Sequence, residues 1–323
     1  MMTLDGRDAT APDAMLASVL SDADRATLAA VLGERVSFDA PLAPHVSWKI
    51  GGPADALATI ESTAELAEVL RLVRARRLPW FVLGSGSNLL VGDGGIRGIV
   101  VRLGGEFARI DVTHDDAHVM VRAGASAGMP ALTAQAASHG AIGIGSLAGI
   151  PGSVGGSLRM NAGTDREIGD FVRDVWVQSP AKPEPHAVSP QFFYRHTTLE
   201  RDAIVANVSL VFERGEPAEV RAEMQTRLVR RKSTQPLHLP NAGSCFRNPS
   251  GDKAGRLIEA AGAKGWREGG AEVSDVHANF IVNTGDASAA DVAALLARVR
   301  HAVAERFDVK LELEVHFVGV FRA

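Results

Sequence analysis

The feature that most constrains this chain is the clustering of its glycines. Between Gly143 and Gly156 the sequence GIGSLAGIPGSVGG places six glycines. Each costs roughly 1 kcal/mol in a helix interior, so such a density argues against a helix or strand there. A compact loop system is expected. A second cluster, Gly84-Ser85-Gly86-Ser87-Asn88, follows the apolar run Trp80 to Leu83, so a strand is expected to deliver it. Evenly scattered, the 33 glycines of this chain would mark turns. Clustered, they suggest backbone brought close to a ligand.

A length of 323 residues with 46% hydrophobic content suggests two or three domains with a sizeable core. The 34 basic and 38 acidic side chains give a net charge of −4, and no basic block or aromatic-basic stripe stands out. That offers no electrostatic case for nucleic acid, so any phosphate recognition has to be local. Cys245 is the single cysteine, which excludes an internal disulfide and multi-cysteine metal sites. The histidines are scattered, and no metal is expected. There is no cationic segment leading into an apolar core and no apolar run approaching the ~20 residues that span a bilayer. A cytoplasmic protein without membrane insertion is expected.

Residues 1 to about 30, rich in Ala and Asp, read as a tail plus a short helix. After the turn Ser47 to Pro53, Ser62 and Glu65 make a capping-box pair for a helix whose face is Leu66, Val69, Leu70 and Val73. Short strands are expected at 80–83, 99–103, 110–112, 118–122, near Val175 and at 204–212, with a helix starting near Pro130. From Pro217 the texture changes to helix, loop and short helix, read as a separate domain. Its last helix starts at Ser288 and Asp291, and a final strand alternates Leu311, Leu313, Val315 and Phe317 against Glu312, Glu314 and His316.

The loop Gly84 to Asn88 lets backbone N–H groups converge on a diphosphate. It is not the Rossmann fingerprint, because Leu89 stands at the third glycine position and apolar, strand-like sequence follows. Gly149-Ile150-Pro151-Gly152-Ser153-Val154-Gly155-Gly156 gives a second backbone cradle, and two cradles suit the two ends of a long cofactor. The plain alternative is that both are tight loops. Ser244 lies among small residues in NAGSCFRNP (241–249), without the G-x-S-x-G context of a hydrolase nucleophile. Arg195, in the loop after Tyr194, is a bidentate carboxylate binder or an ordinary surface arginine. For Glu314 the plain reading is an exposed carboxylate.

In order, WKIGGPAD (48–55), LGSGSNLLV (83–91), GSLAGIPGSVGG (145–156), MNAG (160–163), YRH (194–196), NAGSCFRNP, AGRLIEAAGAKG (254–265), HANFIVN (277–283) and LELEV (311–315) resemble the UDP-N-acetylenolpyruvoylglucosamine reductase family. The resemblance covers roughly residues 40 to 320. It implies an α+β fold: a two-subdomain FAD-binding module of the vanillyl-alcohol-oxidase-like (PCMH) kind plus a C-terminal α+β substrate-binding domain. The expected boundaries are 31–105, 106–216 and 217–323.

By resemblance, Ile50, Gly51, Gly52 and Pro53, Gly84 to Asn88 (with Ser85, Gly86 and Ser87) and Gly149 to Gly156 hold non-covalent FAD. Ser244 corresponds to a proton donor, Arg195 to an enolate-stabilising arginine and Glu314 to a catalytic carboxylate. Tyr194, Arg195 and Asn248 face the substrate. The implied reaction is reduction of UDP-N-acetylglucosamine enolpyruvate with NADPH as co-substrate, by a monomer, in peptidoglycan precursor synthesis. Tyr194 is the only tyrosine, so a tyrosine-bearing lid is not expected. Gln235 stands near where some relatives carry a lysine toward the diphosphate, with Lys232 or Arg247 as candidate substitutes. Thr164 to Glu167 is more polar than expected. A different flavin oxidase on the same fold and a silent flavin-binding scaffold are the alternatives.

Overall fold

The computed structural model describes residues 18–321. The expected tail at 1–17 lies outside the described residues, and the short helix is α1 (Asp22–Leu32), capped by Ser21. The first unit holds β1 (Val36–Pro41), β2 (Pro53–Ile60), α2 (Thr63–Arg76), β3 (Trp80–Val82), β4 (Leu89–Val91) and β5 (Ile96–Leu103). Four strands form a sheet in the order β1-β2-β5-β3, with β2 and β3 parallel to β5 and β1 antiparallel at the edge. The expected face of α2 buries into a core shared with Ala56, Ala58 and Ile60.

Ser62 accepts the Glu65 N–H, but the expected reciprocal half of the capping box is not made. Glu65 instead accepts the Glu61 N–H and pairs with both terminal nitrogens of Arg35 at 2.7 Å. The strands β1 and β2 had no sequence signal. The β2 sequence PADALATI is alanine-rich and poor in β-branched residues. It is a strand because it lies between β1 and β5, almost wholly buried, with Asp55 paired to Arg97 at 2.8 Å.

The second unit holds β6 (Ile110–His114), β7 (His118–Gly124), α3 (Met129–Ser138), α4 (Val154–Arg159), β8 (Val172–Gln178), β9 (His186–Val188), a small hairpin of β10 (Phe192–Phe193) and β11 (His196–Thr197), and β12 (Ile204–Glu213). Its five-stranded sheet, β6-β7-β12-β8-β9, is antiparallel throughout. The second glycine cluster is not all loop, which corrects the expectation. α4 carries Gly155 and Gly156 at its start, capped by Ser153. First-turn N–H groups have no helical partner, and here Val154 and Gly155 donate theirs to Ala127 O and Ala125 O.

The helix α5 (Pro217–Thr234) follows. Although the texture change at Pro217 suggested a new domain, α5 packs on α3 and the 144–147 turn, and Val220 joins the core of the second unit. The third unit is α6 (Ala254–Ala260), the sheet of β13 (Arg267–Glu268), β14 (Ala271–Val273) and β15 (Ile281–Asn283), and α7 (Ala289–Phe307) with the expected Ser288–Asp291 capping box. The expected final strand is shorter: over residues 311–315 only Leu313 makes a bridge, to Phe246, and the strand proper is β16 (His316–Val318), which pairs in parallel with β4 of the first unit. Among the described residues no helix is long and apolar enough to cross a membrane.

Candidate active site

The two glycine loops face each other across a gap that leaves no room for side chains. A Cβ on Gly84 would lie 2.8 Å from Ser153 Oγ, and one on Gly152 would lie 2.8 Å from Ser87 Oγ. The Ser87 hydroxyl donates to Pro151 O at 3.3 Å. β3 delivers the first loop, as expected, and β4 leaves it. Among the described residues, the backbone N–H groups of Gly84 to Asn88, and those of Gly152 and Ser153, have no protein acceptor. Backbone donors are almost always satisfied when buried. Glycine-rich backbone whose amides are not spent on protein fits a diphosphate, as FAD presents.

The turn Ile50 to Pro53 is held largely by protein. Ile50 is buried in the C-terminal core, and the Gly52 N–H donates to Gly92 O at 3.0 Å. It adjoins the first loop through the Ser47 N–H, which donates to Gly86 O at 3.1 Å.

Arg195 and Glu314, 119 residues apart, form an ion pair with Arg195 Nε 3.0 Å from Glu314 Oε1. The backbone of Arg195 is left-handed, at φ 56°, a conformation costing a non-glycine residue on the order of 1 kcal/mol. That strain turns the side chain inward from the exposed Tyr194, against whose ring the guanidinium lies at 4.8 Å. Glu314 is not the exposed carboxylate of the plain reading: its side chain is 19% exposed. Burial pushes its carboxyl above the usual glutamate range, and Arg195 partly opposes that.

The 241–247 loop runs beside the 312–316 segment. The Glu314 N–H donates to Cys245 O at 2.8 Å, and Phe246 bridges Leu313. Ser244 therefore stands one residue from the main-chain partner of Glu314, half-buried, and its hydroxyl has no hydrogen-bond partner among the described residues. The Asn88 side chain donates to Glu314 O and Asn88 O accepts the His316 N–H, both at 3.0 Å, which joins the first glycine loop to the same segment. Burial raises the Cys245 thiol to about 12, so it is an inert core group. Asn248 is exposed, and its Oδ1 accepts the Ala254 N–H at the start of α6.

Several site residues were missed in the sequence. Glu167 Oε1 takes Arg195 Nη1 at 3.3 Å and Gly163 O takes Nη2 at 3.1 Å, so the polar stretch after MNAG packs around the guanidinium. A cleft of about 440 Å³ opens beside Gly243, lined also by Lys49, Pro151, Arg231, Gln235 and His238. The cation of α5 in this cleft is Arg231 and not Lys232, which is exposed elsewhere. Burial lowers the Arg231 pKa, and among the described residues it has no anionic partner. Only a charge run at the end of a helix signalled it.

Comparison with known proteins agrees with this geometry. The model for the UDP-N-acetylenolpyruvoylglucosamine reductase C-terminal domain matches residues 235–318, and that for an FAD binding domain matches residues 54–178. The UDP-N-acetylenolpyruvoylglucosamine reductase of Moorella thermoacetica is 45% identical over 289 residues, 88% of this chain and 94% of its own. Reductase 2 of Symbiobacterium thermophilum is 46% identical over 291 residues, covering 88% and 92%. The crystal structure of the Thermus caldophilus reductase (MurB) superposes with a TM-score of 0.74 at 37% identity, over 87% of this chain and 97% of that one. With relatives this similar over nearly their whole length, the chain belongs to the UDP-N-acetylenolpyruvoylglucosamine reductase family.

Proposed function

We propose that this chain is an FAD-dependent oxidoreductase that reduces UDP-N-acetylglucosamine enolpyruvate to UDP-N-acetylmuramate with electrons from NADPH, in peptidoglycan precursor synthesis. The observation that carries this reading is the half-buried Arg195–Glu314 pair next to the free Ser244 hydroxyl, with Asn88 of the first glycine loop bonded to the Glu314 main chain. When bound, FAD supplies the hydride chemistry, from NADPH to C3 of the enolpyruvyl group.

The chain's own residues do the rest. The Gly84 to Asn88 and Gly149 to Gly156 loops bind FAD with backbone amides, and Ile50 to Pro53 backs the first loop. Arg195 offsets the charge that grows on C2 and its carboxylate, an effect worth about 3 kcal/mol per preorganised donor. Ser244 gives its proton to C2. A hydroxyl is a weak acid, but a carbanion is a strong enough base to take that proton. Glu314, its proton held more tightly by burial, orients Arg195 and restores the proton to the Ser244 oxygen after C2 has taken it. Arg231 and Lys49 bind the nucleotide diphosphate in the cleft beside Gly243. Tyr194 and the free amide of Asn248 contact the sugar nucleotide. The enzyme works as a cytoplasmic monomer.

An absorbance spectrum followed by NADPH turnover tests this reading. A yellow protein that consumes NADPH rapidly only when the enolpyruvyl sugar nucleotide is added is the expected result. A colourless protein that FAD cannot reconstitute refutes it, and one that oxidises an alcohol with O₂ points to a different flavin oxidase.

A further inference from the structure

Arg195 does not close on Glu314 as arginine usually closes on a carboxylate. Paired guanidinium and carboxylate groups favour two parallel N–H···O bonds. Here each nitrogen has a different partner: Nε meets Glu314, Nη1 meets Glu167 and Nη2 meets Gly163 O. Glu167 is itself fixed, because the Asn161 side-chain amide donates to its second oxygen. Asn161 is buried and saturated, donating also to Phe193 O at 3.0 Å and accepting the Gly169 N–H at 2.9 Å.

We infer that Glu167 is a positioning residue: anchored by Asn161, it draws the Arg195 guanidinium back so that Arg195 and Glu314 cannot collapse into a bidentate pair. This rests on the assignment of Arg195 and Glu314 to reduction of the enolpyruvyl group. The pull leaves N–H groups of Arg195 free for substrate and leaves Glu314 able to hold a proton. The charged groups facing Glu314 are Arg195 and Arg247, with Glu167 across the guanidinium. His316, two residues on, is held toward its neutral form by burial.

The test is Glu167→Gln in the FAD-loaded enzyme, with the two half-reactions followed separately. Reduction of flavin by NADPH is expected to stay at the wild-type rate. Reoxidation by the enolpyruvyl sugar nucleotide is expected to slow between about 10- and 100-fold, the scale that a misplaced group costs. The Glu314 limb of its pH profile is expected to move to lower pH. Loss of a nearby negative charge and a closer guanidinium both favour the ionised carboxyl. Glu167→Asp keeps the charge but withdraws it by one methylene; it is expected to give a smaller shift in the same direction and carries the test alone if the Gln variant does not hold FAD.

Asp170→Ala removes the acceptor of the Glu167 N–H (3.0 Å) without touching Arg195, and is expected to leave both rates and the profile unchanged. An unmoved limb in the Glu167 variants, or equal slowing of both half-reactions, overturns the inference. Glu314→Gln, measured alongside, separates the two failures. If it removes the limb and Glu167→Gln leaves it in place, only the role of Glu167 falls; if it leaves the limb in place, the assignment of Glu314 falls and the inference falls with it.

Discussion

Asp93 caps a helix that begins 196 residues further along the chain: its Oδ1 accepts the Ala289 N–H at 2.9 Å and its Oδ2 the Ala290 N–H at 3.1 Å. The carboxylate meets both orphan donors and the positive end of α7. Two further bonds reinforce this seam, as Trp48 Nε1 donates to Ile281 O at 2.8 Å and the Asn283 amide donates to Trp48 O at 2.9 Å. Together with the β4–β16 pairing, they fix the third unit to the strand that leaves the first glycine loop. Asp93→Ala is therefore expected to cost about 1 kcal/mol, the typical worth of a helix cap. Denaturant unfolding measures this, and an unchanged midpoint would show that α7 does not depend on this cap.

Gly84 tests the packing of the two glycine loops. An added methyl at 2.8 Å from Ser153 Oγ can be accommodated if that hydroxyl swings away, but the same hydroxyl caps α4 by accepting the Gly156 N–H. Gly84→Ala should therefore lose about 1 kcal/mol, the worth of a serine cap, and weaken flavin retention because the loops move apart. Thermal unfolding and the flavin-to-protein absorbance ratio after dialysis read both effects. Full flavin retention would show that the spacing of the loops does not matter.

These two contacts show what a sequence can and cannot disclose. Periodicity and caps are local, so α2, α3, α5 and α7 were legible from residues such as Ser288 and Asp291. The strands β1 and β2 were not, because PADALATI has no β signal and takes its state from the sheet around it. The partners of Arg195 were legible only in part. Glu314 came with a motif, whereas Glu167 and Asn161 are ordinary polar residues until folding places them behind the guanidinium. Arg231 became visible only when the end of α5 was seen to line the cleft beside Gly243.

Glu314 leaves a signature in stability as well as in rate. Burial raises its carboxyl above the usual range even against Arg195, so the folded chain binds this proton more tightly than the unfolded chain. Its contribution is complete below the unfolded pKa and is lost as pH rises through the folded one. Glu314→Gln removes that dependence. Relative to wild type, the variant is expected to gain stability as pH rises through this window, while losing most of the second half-reaction. Unfolding free energies at several pH values measure the trend, and a parallel pair of curves would contradict it.

Arg231 should separate binding from chemistry. A half-buried, desolvated guanidinium without an anionic partner is costly to the free protein, so Arg231→Gln is expected to leave stability unchanged or slightly raised. If it meets the diphosphate, one charge-assisted hydrogen bond of about 1.5–3 kcal/mol is lost, or roughly a 10- to 100-fold rise in KM for the sugar nucleotide with kcat little altered. Steady-state kinetics at fixed ionic strength decides. A fall in kcat with KM unchanged would move Arg231 from the diphosphate to the reacting end.

Ser244 is the sharpest discriminator between this enzyme and any other flavoprotein on a related fold. Its hydroxyl has no partner among the described residues, so Ser244→Ala removes the proposed proton donor without orphaning a buried group, and stability should be unaffected. Flavin reduction by NADPH needs no proton at C2 and is expected to proceed near the wild-type rate. Reoxidation by the enolpyruvyl sugar nucleotide should fall by at least the ~100-fold that a positioned general acid supplies. Stopped-flow absorbance resolves the two steps, and equal slowing of both would mean that Ser244 shapes the flavin pocket and does not donate the proton.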